Sequence, residues 1–482
     1  EKHLTVAQSI CQNLGIDYHL FPTDRPFDLA LLDFLQRTPL KEQIGADLSR
    51  FKFSGAADTR GEITIPFRAA GGALSVDGSV AISDAAFSDP SLEITIGGIG
   101  GTLDYNERGF TGSGLDATYR GSPAKLDLGA DADGAEKFRA DITGDFAVAD
   151  VIPEFLLEDF SALSEASGVC RWRGSVIVAE EAPDVLAGGS SEESARAYLE
   201  LESELQGVAL NLPAPLDKPA GQSWPLLLRY PLAGDERTLD MKLEDRLTLR
   251  FDLPAAADAP RRAVIRLGGG RASLPESGLV RIEGGSEVLD LDGWLDVVIE
   301  EAMKGRSMGS LALESGVVET AELVFMDRMF ADVGLAFSVE GADIHAEFSS
   351  ADIDGKVRYT TGDKGATSLS AEFERLALGD PLTTGLEMET DPADLPALHL
   401  YARSFHYAGV DLGETRIEAY PIADGFHFEK VDAASDRLAV QARGDWLLDE
   451  NGYRSDFDIH MTSESLGEFL RSLYLASPGE GG

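Results

Sequence analysis

The pentapeptide Gly305-Arg306-Ser307-Met308-Gly309 is the stretch of this chain with the GxSxG form of a nucleophile elbow. A serine used for acyl transfer needs a strand before it and a helix behind it, so that its hydroxyl stands on a sharp, exposed turn. Here the order is reversed. The helical spacing of residues 289–304 precedes Ser307, and a strand-like run, residues 310–313, follows it. That inversion argues against a hydrolase. The glycine runs 97–101 and 268–270 lack the strand–turn–helix setting of a dinucleotide site and read as bends or hairpin turns. DADG at Asp131, LDLDG at Asp290 and ADIDG at Asp352 resemble pieces of calcium loops. None has the full spacing with a closing glutamate, so each reads as a turn or, at Asp290, as a helix start. The seven histidines are dispersed without paired metal spacing. His345, His399, His427 and His460 alternate with the apolar residues of their strands, which assigns them to a solvent face. Cys11 and Cys170 belong to no CxxC; they admit a disulfide in an oxidising compartment or two unrelated buried thiols. These residues point to no catalytic group, metal or cofactor.

The elements that would have to position any site are mostly strands. From residue 50 onward apolar residues recur at every second position: Ile63, Ile65 and Phe67; Leu74, Val76, Val80 and Ile82; Leu92, Ile94 and Ile96; then Phe138, Ala140, Ile142, Gly144 and Phe146. Turn signals such as GG, SDP, NERG and GSP separate them. Period-two alternation cut by such turns predicts an antiparallel meander. Helical spacing interrupts it at residues 27–36, 151–163, 289–304 and 462–473. The chain divides accordingly into 1–149 (a mixed start, then a meander), 150–286 (helix, meander and proline-rich loop) and 287–482 (helix, meander, C-terminal helix). We read these as one continuous body rather than separate domains.

Composition narrows the function. At 482 residues the chain exceeds a single ordinary core. It starts at Glu1 in what reads as mid-element, as expected of an excised or processed piece of a longer protein. It contains no run of about 18 apolar residues and no signal-peptide pattern. The formal charge of −43 would repel a phosphate backbone, so nucleic acid is excluded as a partner, and the acidity favours solubility.

Three architectures fit so long a meander: a very wide barrel, a stack of sandwiches, or one elongated, strongly curved sheet whose apolar face lines an open groove. No Pro/Ser-rich linker separates sandwich units. Small residues on the apolar face (Gly78, Ala117, Gly144, Ala346, Ala402) favour the curved sheet, because they let a sheet bend and leave room for a guest. The expected fold is therefore mainly β, an antiparallel groove punctuated by short amphipathic helices. The groove-lining candidates are Phe138, Ile142, Phe146, Leu249, Phe251, Phe337, Phe348, Phe373, Leu438 and Val440. Alternation alone leaves open whether they line a groove or fill a closed core.

Residues 198–232 form a strand, a loop with Pro213, Pro215 and Pro219, and a second strand. Proline cannot donate to a ladder, so the middle reads as edge, rim or loop. Within it SELQGVALNLPAPLDKPAGQSWPLLL resembles the family of large bacterial AsmA-like envelope proteins typified by YhdP, related more distantly to TamB. GLVRIEGGSEVLDLDGWLDVV (278–298), FERLALGD (373–380), RLAVQARGDW (437–446) and SESLGEFLRSL (463–473) are similar to that family too. The resemblance covers the chain from about residue 141 onward. It implies a periplasmic body anchored in the inner membrane by a helix outside this sequence, and a hydrophobic β-groove. It also implies phospholipid acyl chains as cargo between the inner and outer membranes, with envelope proteins as further partners. The alternative is a non-enzymatic structural or assembly factor with a closed β core.

Overall fold

The computed structural model describes residues 52–463 apart from 65–74, 91–93, 107, 132–133, 153–160, 180–196, 233–237, 253–261, 276–279, 304–312, 363–365, 380–390 and 450–451. The first strands are β1 (Lys52–Thr64), β2 (Ser75–Asp89), β3 (Ile94–Asn106), β4 (Gly109–Tyr119), β5 (Ser122–Asp131), β6 (Glu136–Ala147), β7 (Ala166–Ala179) and β8 (Ala197–Ser203). Then come β9 (Val208–Leu210), β10 (Leu226–Pro231), β11 (Thr238–Leu243), β12 (Leu247–Asp252), β13 (Arg262–Leu267) and β14 (Val280–Asp290). The rest are β15 (Leu313–Phe325), β16 (Arg328–Glu340), β17 (Asp343–Ser349), β18 (Ile353–Thr361), β19 (Thr367–Leu378), β20 (Ala397–Tyr407), β21 (Val410–Ile422), β22 (Gly425–Ala434), β23 (Leu438–Asp449) and β24 (Gly452–Ser463). One short helix, α1 (Val148–Val151), follows β6, and a longer one, α2 (Leu291–Met303), follows β14.

All 24 strands join in one sheet. Each pairs with the next in sequence except around β9, which leaves the main ladder and pairs with the start of β7, while β8 pairs directly with β10. Tight two-residue turns make this meander locally inexpensive. Met326 and Asp327 (φ 55° and 55°), Ala408 and Gly409 (47° and 78°) and Arg120 and Gly121 (47° and 82°) take the left-handed pairs that match strand twist.

The expectation of a purely antiparallel sheet needs correcting. β13–β14, β14–β15 and β19–β20 pair in parallel. The physical reason is the connections: a strand entering parallel to its predecessor must first be carried back to the same end, which a hairpin cannot do. The stretch holding α2 carries the chain from β14 to β15, and residues 379–396 carry it from β19 to β20. The result is two five-stranded meanders, β15–β19 and β20–β24, joined by a parallel step.

Of the helix expected at 151–163, residues 153–160 lie outside the described residues; α1 ends at Val151, and a 3-10 turn spans Ser161–Glu165. The helices expected at 27–36 and 464–473, the Gly305–Gly309 run and Cys11 lie outside the described residues; Thr462 and Ser463 close β24 instead. No described helix is long and apolar enough to cross a membrane.

Candidate functional site

Side chains at paired positions of neighbouring strands project to the same face, so register can be followed from strand to strand. Starting at Leu115 in β4, the partners run Leu126, Ile142, Gly174, Leu201, Leu228, Met241, Leu249 and Ile265 to Ile282 in β14. From Ile282 they continue through Gly316, Phe337, Ala346, Val357, Ala371, Leu400, Ile417, Val431 and Ala442 to Ile459 in β24. No polar side chain interrupts this row. At roughly 4.8 Å per strand it extends for about 90 Å measured along the sheet.

A second row runs beside it two residues along each strand. It includes Ala124, Gly144, Trp172, Ser203, Leu226, Leu243, Leu247, Leu267, Gly284, Val318, Leu335, Phe348, Gly355, Phe373, Ala402, Thr415, Ala433, Val440 and Met461. Ser203 and Thr415 are its polar members, and both are buried.

The ten residues singled out from sequence all fall on this apolar face. Ile142, Leu249 and Phe337 are in the first row; Phe348, Phe373 and Val440 are in the second; Phe138, Phe146, Phe251 and Leu438 flank them. They differ sharply in access. Phe146, Leu249, Phe251, Phe348, Phe373 and Leu438 are buried, Phe251 completely at 0 % exposure. Phe138, Ile142, Phe337 and Val440 are half-buried. Around Phe251 the reason is a cover: Ile152, just after α1, and Leu163 pack over Leu228, Leu239, Leu249, Phe251, Ala263 and Val280. In the C-terminal half the first row is more open than the second. Phe337, Ala346, Val357, Leu400, Ile417, Val431 and Ala442 are half-buried and Ile459 is 60 % exposed, with Ala371 the buried exception from β16 onward. In the second row Leu335, Phe348, Phe373, Ala402 and Ala433 are buried, and only toward β23 and β24 do Val440 and Met461 open.

The opposite face is largely polar and internally paired, although Ile177, Tyr198 and Val264 are buried on it. Arg229 bonds Glu200, and Arg250 bonds Asp240 at 2.7 Å in the adjoining pair of strands. His427 belongs to this face, with Nδ1 2.6 Å from Asp445 Oδ1 and Nε2 3.3 Å from Glu429 Oε2. The hydrogen bond to Asp445 is the main cause of a pKa raised above the ordinary imidazole value; burial opposes it and Glu429 adds to it. The folded state therefore holds the proton more tightly than the unfolded chain. This contribution to stability is fully present below the unfolded pKa of about 6.5 and is lost as pH rises through the higher folded value. An NMR titration of His427 is expected to have its midpoint above about 6.5 and to fall back on Asp445→Asn. A midpoint at or below that value would contradict the pairing.

Of the readings open for the proline-bearing middle, the structure shows a loop, residues 211–225, which with β9 forms one excursion over residues 204–225. They leave the ladder after β8, fold over themselves and return at β10, since Ser203 pairs with Leu226 across the base of the excursion. At its centre lies a residue that the sequence did not mark: Lys218, 1 % exposed. Its Nζ donates to the carbonyls of Leu205 (2.8 Å), Val208 (2.8 Å), Gln222 (2.7 Å) and Pro219 (3.4 Å), and lies 5.9 Å from the centre of the Trp224 ring. Desolvation lowers its pKa. No sequence signal separates this lysine from a surface one. Leu205, although it continues the period-two spacing of Leu199 and Leu201, lies beyond the end of β8 with φ 49°.

The same excursion docks on α2. The Ala214 carbonyl accepts from Asp290 N (3.1 Å) and Trp294 Nε1 (3.0 Å), and Pro213 lies against Gly293. Asp290 starts the helix by accepting from Gly293 N at 3.0 Å, as its spacing predicts. Asp292 accepts from Met326 N (2.9 Å) and Asp327 N (2.8 Å), holding the β15–β16 turn. The proline loop and the LDLDGW segment are thus two sides of one junction. Cys170, buried beneath the loop, lies 3.2 Å from Ser203 Oγ, and burial raises its thiol pKa.

Comparison with known proteins adds two findings. The chain is 25 % identical over 213 residues to the intermembrane phospholipid transporter YhdP of Escherichia coli strain K12. That alignment takes in 43 % of this chain and 15 % of the relative, so the chain spans a small part of the relative's length. No solved structure matches it. Residues 28–478, nearly the whole sequence and every described strand, match the YhdP protein family, and the chain belongs to that family.

Proposed function

We propose that this chain is a periplasmic segment of a phospholipid transporter and carries acyl chains along the apolar face of its sheet between the inner and outer membranes. The observation that carries the reading is the unbroken first row, apolar from Leu115 to Ile459 and half-open over most of its C-terminal half, Ala371 being buried. An acyl chain of about 16 carbons forfeits roughly 0.8 kcal/mol per methylene in water, on the order of 12 kcal/mol per chain. A continuous apolar row removes that barrier without a site specific to one lipid. Head groups can stay in solvent, so the chain's acidity is no obstacle. The name of the relative, an intermembrane phospholipid transporter, supports cargo and envelope location together. Its role is non-enzymatic on this reading.

Support for a curved trough comes from contacts between strands that are not neighbours. Arg328 in β16 lies 5.8 Å from the Tyr407 ring in β20 and donates to the Gly379 carbonyl at 3.1 Å. In a flat sheet β16 and β20 would be about 19 Å apart. Phe325 and Phe348, two strands apart, stack with centroids 5.2 Å apart. The closed-core alternative has its own support in the buried second row. It gives no account of why the first row stays half-open.

The discriminating experiment is photo-crosslinking in cells. Probes replacing Phe337 and Ile417 are expected to label phospholipid, and probes at outward-facing Arg358 and His399 are expected not to. Equal labelling at all four, or none, would reject the trough.

A further inference from the structure

Resting on the reading of the first row as an acyl-chain path, we propose that Phe337, held flat by the vacancy at Gly316, sets the headroom of that path and so the bulk of the chain that passes. Gly316 has no left-handed φ, so its backbone does not require glycine. Yet a Cβ built there would fall well inside contact distance of the Phe337 ring, and that ring supplies its three nearest atoms. What the glycine provides is space for the ring to lie down. The two residues are direct register partners across β15 and β16.

The arrangement recurs: Gly355 lies opposite Phe373, Gly78 opposite Tyr105 and Gly444 opposite Phe457, each close to the aromatic it faces. Rings covering cross-strand glycines are a known means of closing the gap a glycine leaves in a sheet. At those positions backbone atoms also approach, so a substitution would disturb the strand itself. Phe373 is moreover buried. Gly316–Phe337 differs on both counts: the three atoms nearest the glycine's missing Cβ all belong to the ring and none to backbone, and the ring is half-open in the accessible row. Its next partner is small, Ala346, so a ring lifted from the glycine has room to turn into the path.

The test compares wild type, Gly316→Ala, Phe337→Leu and Gly316→Ala/Phe337→Leu for binding of a phospholipid bearing a fluorophore on one acyl chain. Gly316→Ala is expected to weaken binding on the order of tenfold, the scale of overpacking one site. The double variant is expected to recover to within roughly threefold of wild type, and Phe337→Leu alone to bind at least as well. Binding by Gly316→Ala equal to wild type, or a folded double variant that stays weak, would overturn the proposal. Should Gly316→Ala fail to fold, Phe337→Leu still decides: weaker binding would make the ring a contact and not a ceiling gauge. Glycine-selective NMR is independent of lipid. The Gly316 α-protons are expected to lose an upfield ring shift in Phe337→Leu, and no change would refute the stacked geometry. A wild-type chain that binds no lipid while showing that shift would reject the trough reading and leave the stacked geometry standing.

Discussion

Replacing Lys218 by methionine is expected to destabilise the junction between the proline loop and the sheet by about 3–5 kcal/mol. The side chain is of similar length, so little volume is lost. What is lost is the donor to the carbonyls of Leu205, Val208 and Gln222, all 2.7–2.8 Å from Nζ in a site that water does not reach. Each buried acceptor left without a partner costs roughly 1–3 kcal/mol. Arginine is expected to fare little better, because a planar fork cannot reproduce convergent donation from a single ammonium. A chain of this size will not unfold in one step, so the measurement should be local. Hydrogen exchange of Gly207, Leu210 and Trp224, whose amides bond within the loop, is expected to accelerate far more than exchange in β20–β24. Protection unchanged at those amides would mean that the loop does not depend on Lys218. Because Trp224 lies close to both Lys218 (5.9 Å) and Arg246 (4.2 Å from its ring centre), its fluorescence offers a second readout.

The other large effect is functional. Val431 is half-buried in the first row, between Ile417 and Ala442. Val431→Asp places a carboxylate where acyl methylenes would slide, yet the partial exposure lets the charge reach water, so folding is expected to survive. If the charge and its hydration shell exclude three or four methylenes, the barrier rises by about 3 kcal/mol, or roughly a hundredfold in flux. Val431→Leu, which keeps the path apolar, is expected to be near neutral. Transport of labelled phospholipid between membranes, with the melting profile as a control, separates the outcomes. Full activity of a folded Val431→Asp chain would show that cargo does not use this row.

The segments that carry the family resemblance have a structural role. SELQGVALNLPAPLDKP and LDLDGW meet through Ala214, Asp290 and Trp294, and Asp292 extends the junction to the β15–β16 turn. The proposed transport depends instead on ordinary alternating strands with little distinctive wording. Such segments can accept many substitutions, since any apolar residue of suitable size keeps a row apolar. A junction of fixed hydrogen bonds tolerates fewer choices.

Much of the fold was legible because alternation is a property of one strand. Successive side chains point to opposite faces, so Phe138, Ile142 and Phe146 announce a shared face without reference to any partner. Turn residues similarly announce hairpins, and Asp290 announced the start of α2. Tertiary structure decided the rest, because the rest depends on who pairs with whom. Register set which apolar residues align into rows, and the parallel steps at β14 and β20 depend on long connections that local pattern does not encode. Burial then separated residues of one kind. Phe251 lies under Ile152 and Leu163 while Phe337 stays half-open, and both are phenylalanines in alternating strands. Lys218 is the sharpest case. By itself a lysine among prolines signals a solvated loop, and only the convergence of carbonyls from four different residues makes it the centre of a buried junction. Chain geometry fixed the apolar face; contacts distant in sequence determined which part of it remains open.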